Sequence, residues 1–467
     1  MAENLMAKAA ESVLGHGDQD RATHVDISNP DREGHKYADE NGEKMKALVW
    51  MGKNDVRIGL FAYSLTGMSI DLLTCQLVET SKPRIVEDHD AIVRVTGTTI
   101  CGSDVHIMHG AILEVEKGDI LGHEFCGVIE SVGPAVTKFS TGDRVVNSFV
   151  VSCGECEFCK QNLTTACERT NASTVHEKLY GSRMGGIFGY SHFTGGYAGG
   201  QAEFVRVPLA DNNLLRLPHS VPDEKGLYLS DVLPTSYHSV YYTGVKANDS
   251  VAIWGLGPIG LMACVWAFQM GAKRVIAIDN NWRTEYAKSK IEKLETINYT
   301  NLASGDTVPS KIHEMVPGGV DVSIDATGGE YAKGWAHKLE IWAGLEQDTS
   351  EMINECIRST RKFGAVGIIG DYVGVTNHFN VGSLMERGIR LIGCGQAPVQ
   401  KYWEDILYKV ENLTVDPTIM LTHRINVDDI AKGYYVQEKR EKGLIKCFVE
   451  TRFSNRPAPD TPELTTL

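Results

Sequence analysis

Four cysteines, Cys153, Cys156, Cys159 and Cys167, lie close together in the sequence. Two intervening residues separate each of the first three, and the fourth follows eight positions later. That spacing lets four thiolates wrap one tetrahedral ion, and four sulfurs leave no open position, so the expected chemistry is a closed, structural zinc site. Disulfides or scattered core cysteines compete with this reading, but a reducing compartment and the tight spacing disfavour both. A second set is dispersed. Cys101 stands in TTICGSDVH, and His123 stands in ILGHEFCG with Glu124 beside it. A thiolate plus an imidazole is half of an open zinc site, whose third ligand must come from elsewhere. Taken alone, either residue fits a buried core position equally well.

The third signal is Gly255-Leu256-Gly257-Pro258-Ile259-Gly260, which follows the apolar run SVAIW and precedes the helical LMACVWAFQMG. This is G-x-G-x-x-G between a strand and a helix. The first glycine permits the turn, the second lets backbone approach a pyrophosphate, and the third lets helix and strand pack closely. The phosphates are expected at the helix N-terminus, where free N–H groups favour negative charge. The next strand, RVIAID, ends at Asp279, nineteen residues after Gly260. A carboxylate there accepts the ribose hydroxyls and repels a 2′-phosphate, so NAD is expected over NADP. Arg283 is included in the same cofactor-binding set.

These residues need two kinds of scaffold. From Asp90 to about Pro218 the chain has short β-rich runs with many glycines (AIVRVTG, FCGVIESVG, DRVVNSFVV, AEFVRVP), which suit a small, irregular, mostly β domain. From about Ser230 to Gly393, strands (SVAIWG, RVIAID, VDVSID, AVGIIG, IRLIGC) alternate with helical stretches, the pattern of a parallel sheet with helical crossovers. An amphipathic helix near Lys401–Glu411 and the strands LTHRINV and LIKCFVE then return to the first domain. Order is expected to begin near Met45. Residues 1–44 read as a polar extension without fixed structure, and 452–467 as a disordered tail. The apolar stretch 59–76 is either a genuine insertion or sequence absent from the mature message.

The chain has 467 residues, 42% of them hydrophobic, which is ample for two domains with cores. Its formal net charge of −14 argues against a nucleic-acid partner. No run of 18 apolar residues suggests a membrane span, and the N-terminus lacks the pattern of a secretory signal, so a cytoplasmic location is expected. Eleven cysteines, an odd number, fit metal ligation in a reducing compartment better than a disulfide framework.

Taken together, CGSDVH, GHEFCGVIESVG, CGECEFCKQNLTTAC and GLGPIG resemble the zinc-dependent medium-chain alcohol dehydrogenase superfamily over roughly residues 45–451. LSDVLPTSYHSV, GGQAEFVRVPLADNNLLRLP and the lengthened segment after DATGG look most like its glutathione-independent formaldehyde dehydrogenase and dismutase branch. The resemblance implies an α/β fold, with a Rossmann-type doubly wound parallel sheet plus a mostly β GroES-like catalytic domain. The catalytic domain takes 45–231 and 396–451, and the NAD-binding domain takes 232–395. It also implies an aspartate, here Asp231, as third ligand beside Cys101 and His123, with Glu124 as a nearby or transient ligand. Ser103 would take the substrate proton and pass it through the cofactor ribose to His106. Thr235 would touch the nicotinamide, Phe149 would form a pocket wall, and the segment Trp335–Ser350 could help cover the cofactor. The expected activity is hydride transfer between an alcohol or aldehyde, formaldehyde included, and NAD. Two zinc ions per chain, a NAD that stays tightly bound and a homodimer or homotetramer are implied as well. A polyol, secondary-alcohol or specialised-metabolite dehydrogenase is the competing enzyme reading. A non-catalytic NAD-binding protein is the competing reading of another class.

Overall fold

The computed structural model describes residues 21–23, 27–53, 55–57, 77–327, 349–372 and 376–467. The stretch 59–76 and the part of the segment Trp335–Ser350 up to residue 348 lie outside the described residues. Two compact units are present: one runs to Asp231 and takes in Pro398–Leu467, and the other is Val232–Ala397.

The first unit opens with β1 (Lys44–Gly52), β2 (Asp55–Arg57) and β3 (Leu77–Ser81), where β1 is the middle strand. It continues with β4 (Ala91–Thr98), β5 (Phe125–Val132), β6 (Arg144–Asn147), β7 (Val150–Val151), β8 (Gly186–Ile187), β9 (Phe204–Val207) and β10 (Leu214–Arg216). Strand β4 is buried along almost its whole length because both of its edges are used. It pairs antiparallel with β5 on one side and, through Ala91–Arg94, with β9 on the other. The core beneath includes Val93, Val95, Phe125, Ile129, Phe188 and Val205. Phe125 and Phe188 meet edge to face at 5.4 Å, a geometry that suits the ring quadrupoles.

The second unit is a six-stranded sheet of β11 (Ser250–Trp254), β12 (Arg274–Asp279), β13 (Glu295–Asn298), β14 (Val320–Asp325), β15 (Thr360–Ile368) and β16 (Arg390–Gly393). Its order is β13-β12-β11-β14-β15-β16, and every pairing is parallel. Helices cover the faces, so the central strands are apolar throughout instead of alternating: Val251, Ala252 and Ile253 are all fully buried. The chain order reverses between β11 and β14, which leaves a crevice at the carboxyl ends of these strands. The chain then returns through the helix Trp403–Glu411 to β17 (Leu421–Asn426) and β18 (Lys446–Glu450). These extend the first unit's sheet to β10-β6-β5-β4-β18-β17.

Two expectations need correction. The extension ahead of Met45 is packed from residue 27 to residue 44. Asn29 donates to the Gly118 carbonyl at 2.8 Å and accepts from Thr80 at 2.8 Å. Arg32 pairs with the buried Asp119 at 2.7 Å. Ser28 and Ile27 carbonyls accept from Ile120 and Ala198. This segment is held by polar groups meeting backbone, which leaves no hydrophobic period in the sequence. Deleting residues 1–36 is therefore expected to lower the unfolding free energy by roughly 3–5 kcal/mol, the cost of leaving a buried carboxylate without its cation. Chemical denaturation followed by far-UV circular dichroism measures it, and an unchanged midpoint would refute the role given to Asn29 and Arg32.

The tail after Thr451 is likewise ordered. The buried guanidinium of Arg424 donates to Glu224 at 2.5 Å, to Glu450 at 2.8 Å and to the Asn455 carbonyl at 2.8 Å. Glu224 also accepts from the backbone N–H of Ala458, and the Arg424 carbonyl accepts from Thr465. The prolines of RPAPDTPE exclude regular elements but do not prevent an extended chain from being tied down residue by residue.

Candidate active site and metal centres

Strand β4 ends just before Cys101, which is the N-cap of the helix Gly102–Met108. The Cys101 backbone N–H donates to Asp104 at 2.9 Å, fixing the turn that carries the thiol. His123 and Glu124 immediately precede β5, and Asn147 donates to the His123 carbonyl at 2.8 Å. Gly122 is required at the bend: its φ is +97°, and a Cβ there would lie 2.4 Å from Gln201. Asp231 is the last residue of the first unit. Cys101, His123, Glu124 and Asp231 each bring one ligand atom into a cluster in which all lie within 4.8 Å of one another.

Within the cluster, Nε2 of His123 is 3.4 Å from Asp231 Oδ2 and 3.9 Å from Glu124 Oε1. Nδ1 of the same ring faces Asp104 Oδ1 across 3.6 Å, and both of these buried atoms lack a hydrogen-bond partner. A proton on Nδ1, directed at Asp104, leaves the Nε2 lone pair for a metal ion. This is the usual way a carboxylate orients a ligating imidazole. Gln201 donates to Asp104 at 3.0 Å and accepts from Tyr434 at 2.7 Å, so the orienting carboxylate is itself held.

The electrostatics favour a cation. Burial pulls the His123 pKa down, yet Asp104, Asp231 and Cys101 together raise it well above the ordinary imidazole value. Burial also raises Glu124, against the pull of Lys446, and Asp231 pushes it the same way. Lys446, fully buried, donates to Glu124 Oε1 at 2.6 Å. A divalent ion offsets this surplus of anionic donors, and one thiolate, one imidazole and carboxylate oxygens form a donor set that zinc accepts. The residues present fit that metal.

The second cluster is local. Cys153, Cys156, Cys159 and Cys167 place their sulfurs within 4.8 Å of one another, with Cys153 and Cys159 3.9 Å apart. A disulfide needs about 2.05 Å. Four sulfurs around a zinc at about 2.3 Å would be roughly 3.8 Å apart, so the spacing is that of a tetrahedral cage. Backbone N–H groups of Glu155 and Cys156 donate to the Cys153 sulfur at 3.4 and 3.3 Å. Hydrogen bonding from Cys159 and Cys167 holds the Cys153 pKa low, while the Cys167 thiol is pushed up to about 11, chiefly by Cys153. A cation at the centre would offset the charge of such a set of thiolates.

In the second unit the glycines divide their work. Gly255 has φ +89°. A Cβ on Gly260 would lie 1.8 Å from the Gly255 carbonyl oxygen, whereas one on Gly257 would meet nothing nearer than Arg283 Nη1 at 3.6 Å. Gly257 is thus the open position, and it caps the helix Pro258–Gln269, where Pro258 and Ile259 form the first turn. Asp279 closes β12 and accepts the Leu256 N–H at 2.6 Å through Oδ2. Asp279→Asn keeps an acceptor for Leu256 and removes the charge. It is expected to lower kcat/KM with NAD about tenfold and to raise kcat/KM with NADP, because a 2′-phosphate no longer meets an anion. Steady-state kinetics with both cofactors test this, and an unchanged NAD/NADP ratio would remove Asp279 from the ribose site.

Comparison with known proteins agrees with this geometry. Residues 87–219 match the alcohol dehydrogenase GroES-like domain, and residues 258–337 match the zinc-binding dehydrogenase family. A zinc-type alcohol dehydrogenase-like protein of Schizosaccharomyces pombe is 40% identical over 414 residues, covering 88% of this chain and 92% of its own length. The chain belongs to the zinc-type alcohol dehydrogenase family. It is accordingly an enzyme, a zinc-dependent oxidoreductase of the medium-chain type that works with NAD on alcohols or aldehydes. A glutathione-independent formaldehyde dehydrogenase of Pseudomonas aeruginosa is 34% identical over 388 residues, 78% of this chain and 89% of that one. Among solved structures, the alcohol dehydrogenase TADH from Thermus sp. ATN1 superposes with a TM-score of 0.68 at 28% identity, covering 87% of this chain and all of that one.

In this zinc-type dehydrogenase the structure brings Cys101, His123, Glu124 and Asp231 together and sets Ser103 Oγ 4.0 Å from the Cys101 sulfur. His106 lies three residues after Ser103 on the same helix, both half-buried, so the two share a face. Phe149 is buried with its ring 6.3 Å from that of His123. Thr235 is half-buried on the helix Val232–Thr243 of the second unit. Three residues of the site escaped the sequence reading. Asp104 could have been found from its spacing, three after Cys101, as a capping acid. Tyr190, whose ring is 6.1 Å from His123, and Lys446, 322 positions from Glu124, carry no local signal. Among the described residues, no helix is long and apolar enough to cross a membrane.

Proposed function

We propose that Cys101, His123 and Asp231 hold the catalytic zinc, that Cys153, Cys156, Cys159 and Cys167 hold a structural zinc, and that the substrate is a small aldehyde or the corresponding alcohol, formaldehyde in particular. The observation that carries this reading is the convergence of Cys101, His123, Glu124 and Asp231 within 4.8 Å. When bound there, zinc supplies Lewis acidity at the substrate oxygen. The chain's own residues do the rest. Asp104 keeps the His123 ring in register. Phe149 and Tyr190 flank that ring and keep water from it. Ser103 accepts the substrate hydroxyl proton, and His106, an imidazole on the same helix face, exchanges it with solvent. Gly255–Gly260 would hold the pyrophosphate of NAD, with Asp279 at the ribose, Arg283 nearby and Thr235 against the nicotinamide, and NAD would supply the hydride acceptor. An aldehyde enters the same chemistry as its hydrate: one C–H hydride goes to NAD, one proton to Ser103, and the carboxylic acid leaves. A nicotinamide retained in its reduced form between turnovers would supply the hydride to reduce a second aldehyde, and the pair of turnovers would be a dismutation.

The relatives that act on formaldehyde by name support the substrate class, and a four-cysteine set spaced for metal ligation supports a reducing, cytoplasmic setting. A homodimer or homotetramer belongs to the same reading. The test is to denature purified protein, quantify zinc and nicotinamide, and follow methanol and formate from formaldehyde without added cofactor. About two zinc ions and retained NAD(H) per chain, with both products formed, support dismutation. Turnover only with added NAD and longer alcohols would overturn the formaldehyde assignment.

A further inference from the structure

We propose that Lys446 is a positioning residue that holds Glu124 off the metal and keeps the fourth coordination position of the Cys101 centre open to substrate. The inference rests on reading that cluster as the zinc site. Cysteine, histidine, aspartate and glutamate are by themselves a complete tetrahedral set, and a complete set is a closed, inert site. All four are within ligand reach here, so an open position requires that one be restrained. Glu124 is the restrained one. Its Oε1 accepts from Lys446 Nζ at 2.6 Å and is 3.9 Å from His123 Nε2. Its Oε2 lies 3.5 Å from Ser230 Oγ, on the residue before Asp231.

The restraint is anchored on both sides. Lys446 Nζ also donates to the carbonyl of Ile100, the residue before Cys101, at 3.2 Å. The ammonium is thus tied to the turn that carries the first ligand. Both side chains of the pair are 1% exposed, so neither has water as an alternative partner. Charge is paired locally in this arrangement: Cys101 and Asp231 would neutralise a divalent ion, and Glu124 neutralises Lys446. If Glu124 moved to the metal, a buried ammonium would be left unpaired, and that penalty keeps the carboxylate in place.

The test uses full-length enzyme with cobalt in place of zinc and azide as a monodentate probe. The four-cysteine site has no open position and is silent to azide. Wild type is expected to show an azide-dependent visible difference spectrum. In Lys446→Met, azide affinity is expected to fall at least about tenfold and release of zinc to a chelator to slow by a similar factor, because Glu124 closes the centre. Lys446→Met combined with Glu124→Gln should restore azide binding, and Lys446→Arg should retain it. If Lys446→Met does not fold, Lys446→Gln, which removes the charge but keeps an N–H donor, is expected to shift both readouts in the same direction. A Lys446→Met or Lys446→Gln enzyme that binds azide as wild type does, or a double variant that fails to recover binding, overturns the role of Lys446 alone. A wild-type protein that takes up one ion per chain, or gives no azide response, removes the metal reading and this inference with it.

Discussion

Cys101→Ala is expected to lower kcat/KM by about a thousandfold or more while leaving one zinc per chain in place. Several kcal/mol of transition-state stabilisation come from a Lewis acid at the substrate oxygen, and each 1.36 kcal/mol is a factor of about ten. Cys101 is half-buried at a helix N-cap, so its loss opens no large cavity and the surrounding β core stays packed. Zinc analysis, circular dichroism and kinetics on one preparation decide the matter. The expected pattern is metal falling from about two to one, an unchanged spectrum and lost turnover. An enzyme that loses one zinc yet keeps a tenth of its activity would show that the Cys101 cluster is not where the reaction occurs.

The second large effect concerns Gly260, and its companion Gly257 makes it informative. Gly260→Ala drives a methyl to 1.8 Å from the Gly255 carbonyl oxygen, a backbone atom that cannot move without breaking the turn. The second unit is expected to lose roughly 4 kcal/mol or more, in the range reserved for severe local strain. Gly257→Ala meets only the end of the flexible Arg283 side chain at 3.6 Å and is expected to fold normally. It should nevertheless weaken NAD binding at least about tenfold, because the methyl stands where backbone must approach the pyrophosphate. Thermal unfolding with and without NAD separates the two. If both variants lose stability equally, or neither loses NAD affinity, the division of labour among these glycines is wrong.

The elements that fill the two cores were readable because their physics is periodic. Val251, Ala252 and Ile253 form an uninterrupted apolar run, and a parallel sheet covered on both faces needs such runs. The four-cysteine lobe was readable because its cysteines are close in sequence. Residues that act through polar contacts left little trace. Asn29 and Arg32 fasten the leading segment to Gly118 and Asp119, and Arg424 gathers the tail, yet none of these contacts repeats at a helical or strand interval. The Cys101 cluster lay between these cases. Cys101 and His123 announced half a site, Asp231 entered only through resemblance, and Lys446 was invisible because its partner is on the far side of the intervening unit in sequence.

That last separation has a consequence for how the protein is made. The four cysteines of that lobe lie within a short stretch of chain, Cys153 to Cys167, so all four sulfurs are present early in synthesis. The other centre cannot be finished then. Strand β18, which delivers Lys446 and completes the pairing with β4, is synthesised only after the whole of Val232–Ala397. A growing chain therefore carries Cys101, His123, Glu124 and Asp231 without Lys446 until nearly its whole length has been made, so the ammonium that pairs with Glu124 is the last part of that cluster to arrive.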